Sequence, residues 1–234
     1  MSNITQSERT KIIKETFKQF NEENGFYFRT PRVILKDSYD TIHYLTITTN
    51  GGGSITCDLV AQPLYIPETS LNLSISVRLQ FVGENKRFPW GHCDGSLIEY
   101  KKNIEEILQI FSTNGLKWLS NFDSPQKIID TVDDWSMEKY KNVWHPNWRN
   151  EARAVSYLYL GDIEKGICCL QDALLGTSDV HKHYRTKFQN WLNLEQNESE
   201  RLPEIFDEII LTTRKNLKLK DDKCEFLKNK NRNN

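Results

Sequence analysis

The chain has 234 residues, of which 38% are hydrophobic and 27% charged, with 31 basic against 32 acidic residues. That is room for one large domain or two small ones, in a chain too apolar to stay disordered and too balanced to be a generic polyanion binder. No apolar run approaches the ~18 residues of a membrane span, and the charged opening MSNITQSERTKIIKETFKQF lacks the apolar centre of a secretory signal, so a cytoplasmic protein without a membrane partner is expected.

In chain order, residues 7–24 read as an amphipathic helix capped by Ser7, with Ile12, Ile13, Phe17 and Phe20 at three-to-four spacing and Asn24-Gly25 ending it. Strands follow. Phe26 to Leu35 mixes aromatic and β-branched residues around Pro31, Thr41–Thr49 is rich in Thr, Ile and Tyr, and Asn50-Gly51-Gly52-Gly53 turns it into Ser54–Val60 as a hairpin. Leu71, Leu73, Ile75, Val77, Leu79 and Phe81 alternate with polar residues, which predicts a strand with one buried and one wet face in an antiparallel sheet.

From about residue 97 the chain reads as helical. A helix over 97–112 carries the stripe Leu97, Tyr100, Ile104, Ile107, Leu108 and Phe111, is capped by Asp94 or Ser96, and ends at Asn114-Gly115. Ser124-Pro125 opens a short helix with Ile128, Ile129 and Val132, and Trp144-His145-Pro146-Asn147 marks a boundary. Residues 148–176 form a helical hairpin, with Gly161 ending the first helix, Asp162 capping the second, and Ile163, Ile167, Leu170 and Leu174 as its stripe. Two more helices carry Val180, Tyr184, Phe188 and Trp191, then Leu202, Ile205, Ile209 and Ile210.

The fold class expected is α+β: an antiparallel sheet with helices on one face, followed by a C-terminal all-helical subdomain. The division is an α+β domain over 1–138, a helical subdomain over 139–220 and a basic flexible tail over 221–234. Residues 212–234 hold eight basic and three acidic residues, so this end is +5 and the rest of the chain −6. A solvated terminus accounts for the tail; as a nucleic-acid site it would lack aromatic platforms beyond Phe226.

Two resemblances rest on short motifs. Over residues 7–135 the order helix, antiparallel strands, helices, with Gly25-Phe26-Tyr27-Phe28-Arg29 after the first helix and Arg78-Leu79 on the alternating strand, resembles a bacterial family of unknown function, domain-of-unknown-function family 4304. The resemblance implies an α+β fold and supplies no catalytic residues to carry over. The hairpin 148–176, with Ala154, Leu160-Gly161, Gly166 and Ala173, is similar to a single tetratricopeptide repeat.

Motifs for phosphate loops, dinucleotide sites, hydrolase elbows and helical zinc pairs are absent from the sequence, and no cofactor is expected. The five cysteines, Cys57, Cys93, Cys168, Cys169 and Cys224, have no CxxC spacing and read as reduced, structural thiols. His92, Cys93 and Asp94 lie in the glycine-flanked Trp90–Gly95 segment and are candidate metal ligands, although a polar turn explains the same residues. Asp58 with Glu84 and Lys86 could hold Mg²⁺ and activate water, which makes a metal-dependent hydrolase or nuclease the alternative reading. His181 and His183 are expected at the surface.

The favoured reading is a non-catalytic protein-binding factor of bacterial type, such as an immunity, antitoxin or defence component, whose acidic body meets another protein that is basic. Its candidate surface comprises Asp123, Asp130, Asp133 and Asp134, with Trp135, Trp144, Trp148 and Arg149 as aromatic and guanidinium anchors.

Overall fold

The computed structural model describes residues 4–49, 54–73, 75–82, 96–134 and 146–219. The fold is α+β, with a five-stranded antiparallel sheet in the order β1-β2-β3-β4-β5 and a helical C-terminal region. Two compact units are formed. One comprises residues up to Asp37, Ile42–Ala61 and Ser76–Ser120; the other comprises Ser38–Thr41, Gln62–Ile75 and the chain from Asn121 onward.

In the first unit, α1 (Gln6–Asn24) starts one turn position earlier than its apolar stripe suggests. The cap is Thr5, not Ser7: Thr5 Oγ1 accepts from the Glu8 amide at 3.3 Å while Glu8 Oε2 accepts from the Thr5 amide at 2.8 Å. This reciprocal box satisfies two otherwise unpaired helix-end donors. Gly25, at φ 72°, ends the helix in the left-handed region that favours glycine. Phe17, Phe20, Phe26 and Phe111 then form one aromatic cluster with ring centroids 5.2–6.3 Å apart, each buried ring contributing roughly 1.5–3 kcal/mol.

The strand-forming residues around Pro31 make two strands, β1 (Tyr27–Thr30) and β2 (Val33–Asp37), folded into a hairpin with Tyr27 opposite Leu35. A proline has no amide hydrogen for a ladder, so the chain turns there. β3 (Thr41–Thr49) pairs with β2, placing Ile34 opposite Leu45, and β4 (Ile55–Pro63) follows. Ile34 and Leu35 point to opposite faces and are both buried, as are Tyr44 and Leu45, so the middle strands are covered on both sides.

Among the described residues of the alternating run over 71–81, a strand forms only at β5 (Ile75–Arg78). Leu79–Phe81 winds into a 3₁₀ turn, and Leu73 and Phe81 are more than half exposed. Before the strand, the buried Gln62 side chain takes the place of a ladder partner: its Oε1 accepts from the Asn72 amide at 3.2 Å and its Nε2 donates to the Ser70 carbonyl at 3.3 Å.

α2 (Leu97–Ile110) is capped by Ser96, which accepts from the Glu99 amide. It does not stop at Asn114-Gly115. A wider π-type turn over Phe111–Gly115 carries the path into α3 (Leu116–Leu119). Gly115 has helical backbone and is there for space, since a Cβ would lie 2.8 Å from Phe111 Cδ2 and 3.4 Å from Leu59 and Leu79.

In the second unit, α4 (Pro125–Asp133) is capped by Ser124 and buries Ile128, Ile129 and Val132. α5 (Pro146–Tyr159) and α6 (Ile163–Gly176) make the hairpin, with Gly161 at φ 84° and the Asp162 carboxylate accepting from the Lys165 amide. The helices touch at Gly166, where a Cβ would come within 2.4 Å of Leu158 Cδ2 and 3.3 Å of the Ala154 carbonyl. The buried face of α6 is therefore Gly166, Leu170 and Ala173, rotated from the expected stripe, whose Ile163, Ile167 and Leu174 are only half-buried.

α7 (Lys182–Glu198) is tied to the end of α6 by Arg185, whose Nη1 donates to the Leu174 and Thr177 carbonyls at 3.2 and 2.8 Å. Val180, expected on its stripe, lies in the preceding turn and is exposed. α8 (Leu202–Asn216) buries Leu202, Phe206, Ile210, Thr213 and Arg214. Arg214, counted with the basic end in the sequence, is 1% exposed and donates to the Ser38 carbonyl at 2.6 Å. The tail from Lys220 lies outside the described residues.

Candidate functional site

Helices α5, α7 and α8 and the segment after β4 build a cleft within the second unit. The chain leaves β4 at Pro63 and is pinned by Tyr65, which is fully buried. Its hydroxyl lies 2.7 Å from Ser156 Oγ on α5, and its ring stacks on Tyr159 at 4.4 Å and 7°. Phe206 of α8 packs edge-on against both rings, and Trp191 of α7 stacks on Phe206 at 5.7 Å. Beneath this cluster Tyr159 donates to the Asp40 carboxyl at 3.4 Å and Tyr39 donates to Asp207. Burial raises the Asp40 carboxyl above the usual carboxylate range, against the hydrogen bonds that favour its charge. Buried and mutually hydrogen-bonded groups of this kind fix a backbone rigidly.

On that support Pro67 and Glu68 face α7 and α8 across a cleft of about 460 Å³, with Ile205, Glu208 and Ile209 of α8 opposite and Lys187 of α7 between. A second pocket of about 250 Å³ adjoins it, sharing Pro67, Lys187 and Ile209 and extending to Glu151, Trp191 and Leu194. Lys187 is thus common to both. Its Nζ lies 3.4 Å from Glu68 Oε1 and 3.3 Å from Glu151 Oε2.

The three groups are unequal. Glu151 is 1% exposed, and burial pushes its carboxyl above the usual range while Lys187 and the Trp191 indole, both bonded to it, hold it down. For Lys187 burial lowers the ammonium's pKa, but Glu151 and Glu68 outweigh it and the balance is raised. A buried carboxylate costs several kcal/mol unless paired and hydrogen-bonded, so Lys187 is committed to holding Glu151 charged. Perturbed titratable groups in a cleft are common both at binding sites and in structural ion-pair networks.

Of the residues singled out in the sequence, Asp58 lies on β4 with Arg78 of β5 at 3.9 Å, and its carboxyl is raised by burial against the pull of Arg78 and a Thr46 hydrogen bond. Glu84, Lys86, His92, Cys93, Asp94, Trp135 and Trp144 lie outside the described residues. Asp123 pairs with Lys127 at 3.3 Å, Asp130 accepts from Gln126 at 2.7 Å, and Asp133 pairs with Arg153 at 2.8 Å. Asp134 caps α4, its amide donating to the Asp130 carbonyl. Trp148 is 6% exposed, and the neighbouring Arg149 is partly buried. Among the described residues no three His, Cys, Asp or Glu side chains are grouped to hold a metal ion, and no helix is long and apolar enough to cross a membrane.

Cys57 is buried, its thiol raised well above the usual range by burial, whereas Cys168 is exposed and Cys169 half-buried, so among the described cysteines a packing role fits Cys57 alone; Cys93 and Cys224 lie outside the described residues. His181 and His183 are exposed, and His183 lines the cleft.

Sequence reasoning missed Glu68, Glu151 and Lys187, and two of them left a signal. Glu151 sits on the apolar stripe of Trp148, Ala152 and Val155, and Lys187 falls between Tyr184 and Trp191 at the same spacing. Opposite charges on the buried stripes of two helices point to a buried pair. Glu68, in a Pro-Glu-Thr turn, left none. Family models, curated proteins and solved structures all yield no match to this chain.

Proposed function

We propose that the protein is a non-catalytic binding factor that seats a segment of a partner polypeptide in the cleft between the Pro67–Thr69 segment, α7 and α8. The observation that carries this reading is the pair of adjoining pockets, about 460 and 250 Å³, joined at Pro67, Lys187 and Ile209. Two pockets side by side suit successive side chains of one chain, which is how peptide grooves gain specificity. Their apolar surfaces, Ile205 and Ile209 on one side and Trp191 and Leu194 on the other, supply the non-directional part of the affinity. Preformed walls reduce the ordering cost of binding. An immunity- or antitoxin-like role would be one case of such capture.

Panning a displayed random-peptide library against the full chain tests the reading. Enriched peptides are expected to bind the natural chain and to lose binding to Ile209→Asp, which places a charge on the wall common to both pockets while leaving the buried face of α8 intact. Peptides that bind the variant equally well, or no enrichment over it, would overturn the reading.

A further inference from the structure

We infer that the occupant of this cleft is a polypeptide segment that places a cationic side chain, lysine or arginine, beside an apolar one. The inference rests on the peptide-binding reading above and specifies its partner.

Charge on the lining is the first argument. Glu68, Glu151 and Glu208 line the two pockets, and Lys187 is their one lysine or arginine. With His183 neutral the lining sums to −2, and with His183 protonated to −1, so it is negative in either state. Lys187 does not offset this for a ligand, because its single charge is already shared between Glu68 and Glu151 at 3.4 and 3.3 Å. An incoming anion would meet uncompensated carboxylates at the rim, whereas a cation would complete the alternation of charge that Lys187 begins.

The second argument is the division of the lining. Glu208 is exposed on α8 and the Glu68 side chain is 24% exposed, so both reach the surface of the cleft. Glu151 is sealed and serves to hold Lys187. Ile205 and Ile209 lie on α8 among these carboxylates, and Trp191 and Leu194 wall the adjoining pocket. A cationic head over Glu68 and Glu208, with an aliphatic neighbour against Ile209 and Trp191, matches both kinds of surface.

The test uses the full chain and two fluorescent probes: a short peptide alternating leucine and lysine, and the same peptide with every lysine acetylated. Fluorescence anisotropy should show the lysine peptide binding about tenfold or more tightly than its acetylated form, with affinity falling as salt rises. Glu68→Gln/Glu208→Gln should remove most of that preference. Glu208→Lys, at an exposed position, gives the same test if the double variant folds poorly.

Equal binding of both peptides, lost in Ile209→Asp, would overturn the cationic inference and leave the peptide-binding reading standing. Failure of both peptides to bind would overturn the two together. Displacement of the lysine peptide by an equal concentration of free spermidine would also overturn the inference, by showing a site for small amines.

Discussion

Replacing Lys187 by methionine is the sharpest perturbation of the helical unit. The substitution keeps an unbranched side chain, one heavy atom shorter, and removes its charge, leaving the Glu151 carboxylate with the Trp191 indole as its bonded partner. Breaking a fully buried pair costs about 3–5 kcal/mol. Lys187 is 30% exposed, so solvent already screens part of the attraction, and the expected loss is reduced to about 2–4 kcal/mol. Urea unfolding monitored by circular dichroism at pH 7.5, with the slope unchanged, reads this loss directly.

The loss should also depend on pH. Burial raises the Glu151 carboxyl, so the folded state takes up its proton more readily than the unfolded state, and the associated stability is present below the unfolded pKa and fades as pH rises through the folded one. Removing Lys187 strengthens that shift, so the deficit of the variant should be smaller in mild acid than at neutral pH. In the double variant Lys187→Met/Glu151→Gln neither charge of this pair remains, and most of the lost stability should return, within about 1 kcal/mol of the natural chain. A single variant within about 0.5 kcal/mol of the natural chain, or a double variant as unstable as the sum of the two singles, would refute the reasoning.

Other expectations concern the frame around the cleft. Gly166→Ala places a methyl where Leu158 and the Ala154 carbonyl now lie; crowding of about 1–3 kcal/mol should exceed the ~1 kcal/mol gained in helix propensity, giving a lower Tm, and a higher Tm would show that α5 and α6 are less tightly packed. Arg214→Met leaves the Ser38 carbonyl without that donor and should cost about 1–3 kcal/mol in urea unfolding, against little or no change if the arginine were solvated. Thr5→Ala removes the α1 cap and should cost about 1 kcal/mol, whereas Ser7→Ala should be near neutral by the same assay.

The legible parts of the fold were those where one local rule decides the outcome. Ser124-Pro125 opened α4 as read, and Gly161-Asp162 divided α5 from α6, because capping and turn chemistry are contained within a few residues. Alternation over 71–81 overran its strand because period two records which side chains are apolar, not which amides find a ladder; Gln62, ten residues upstream of Asn72, supplies that bond. Gly115 suggests a helix end because glycine commonly marks one, whereas its reason is the space left by Phe111, Leu59 and Leu79, a tertiary fact. The acids read as one surface are partly engaged locally, Asp123 by Lys127 and Asp133 by Arg153. Lys187, Glu151 and Glu68 are separated in sequence by 36 and 119 residues from Lys187, so only folding brings them together.

The central claim, that this cleft receives a cationic and apolar segment of another chain, is tested most directly by chemical-shift mapping. Isotope-labelled full chain titrated with the leucine–lysine peptide should show saturable shifts concentrated at residues 67–69, 187–194 and 205–216. Shifts centred elsewhere, such as on α4 and the Asp133–Arg153 pair, or no shifts at saturating peptide, would contradict it.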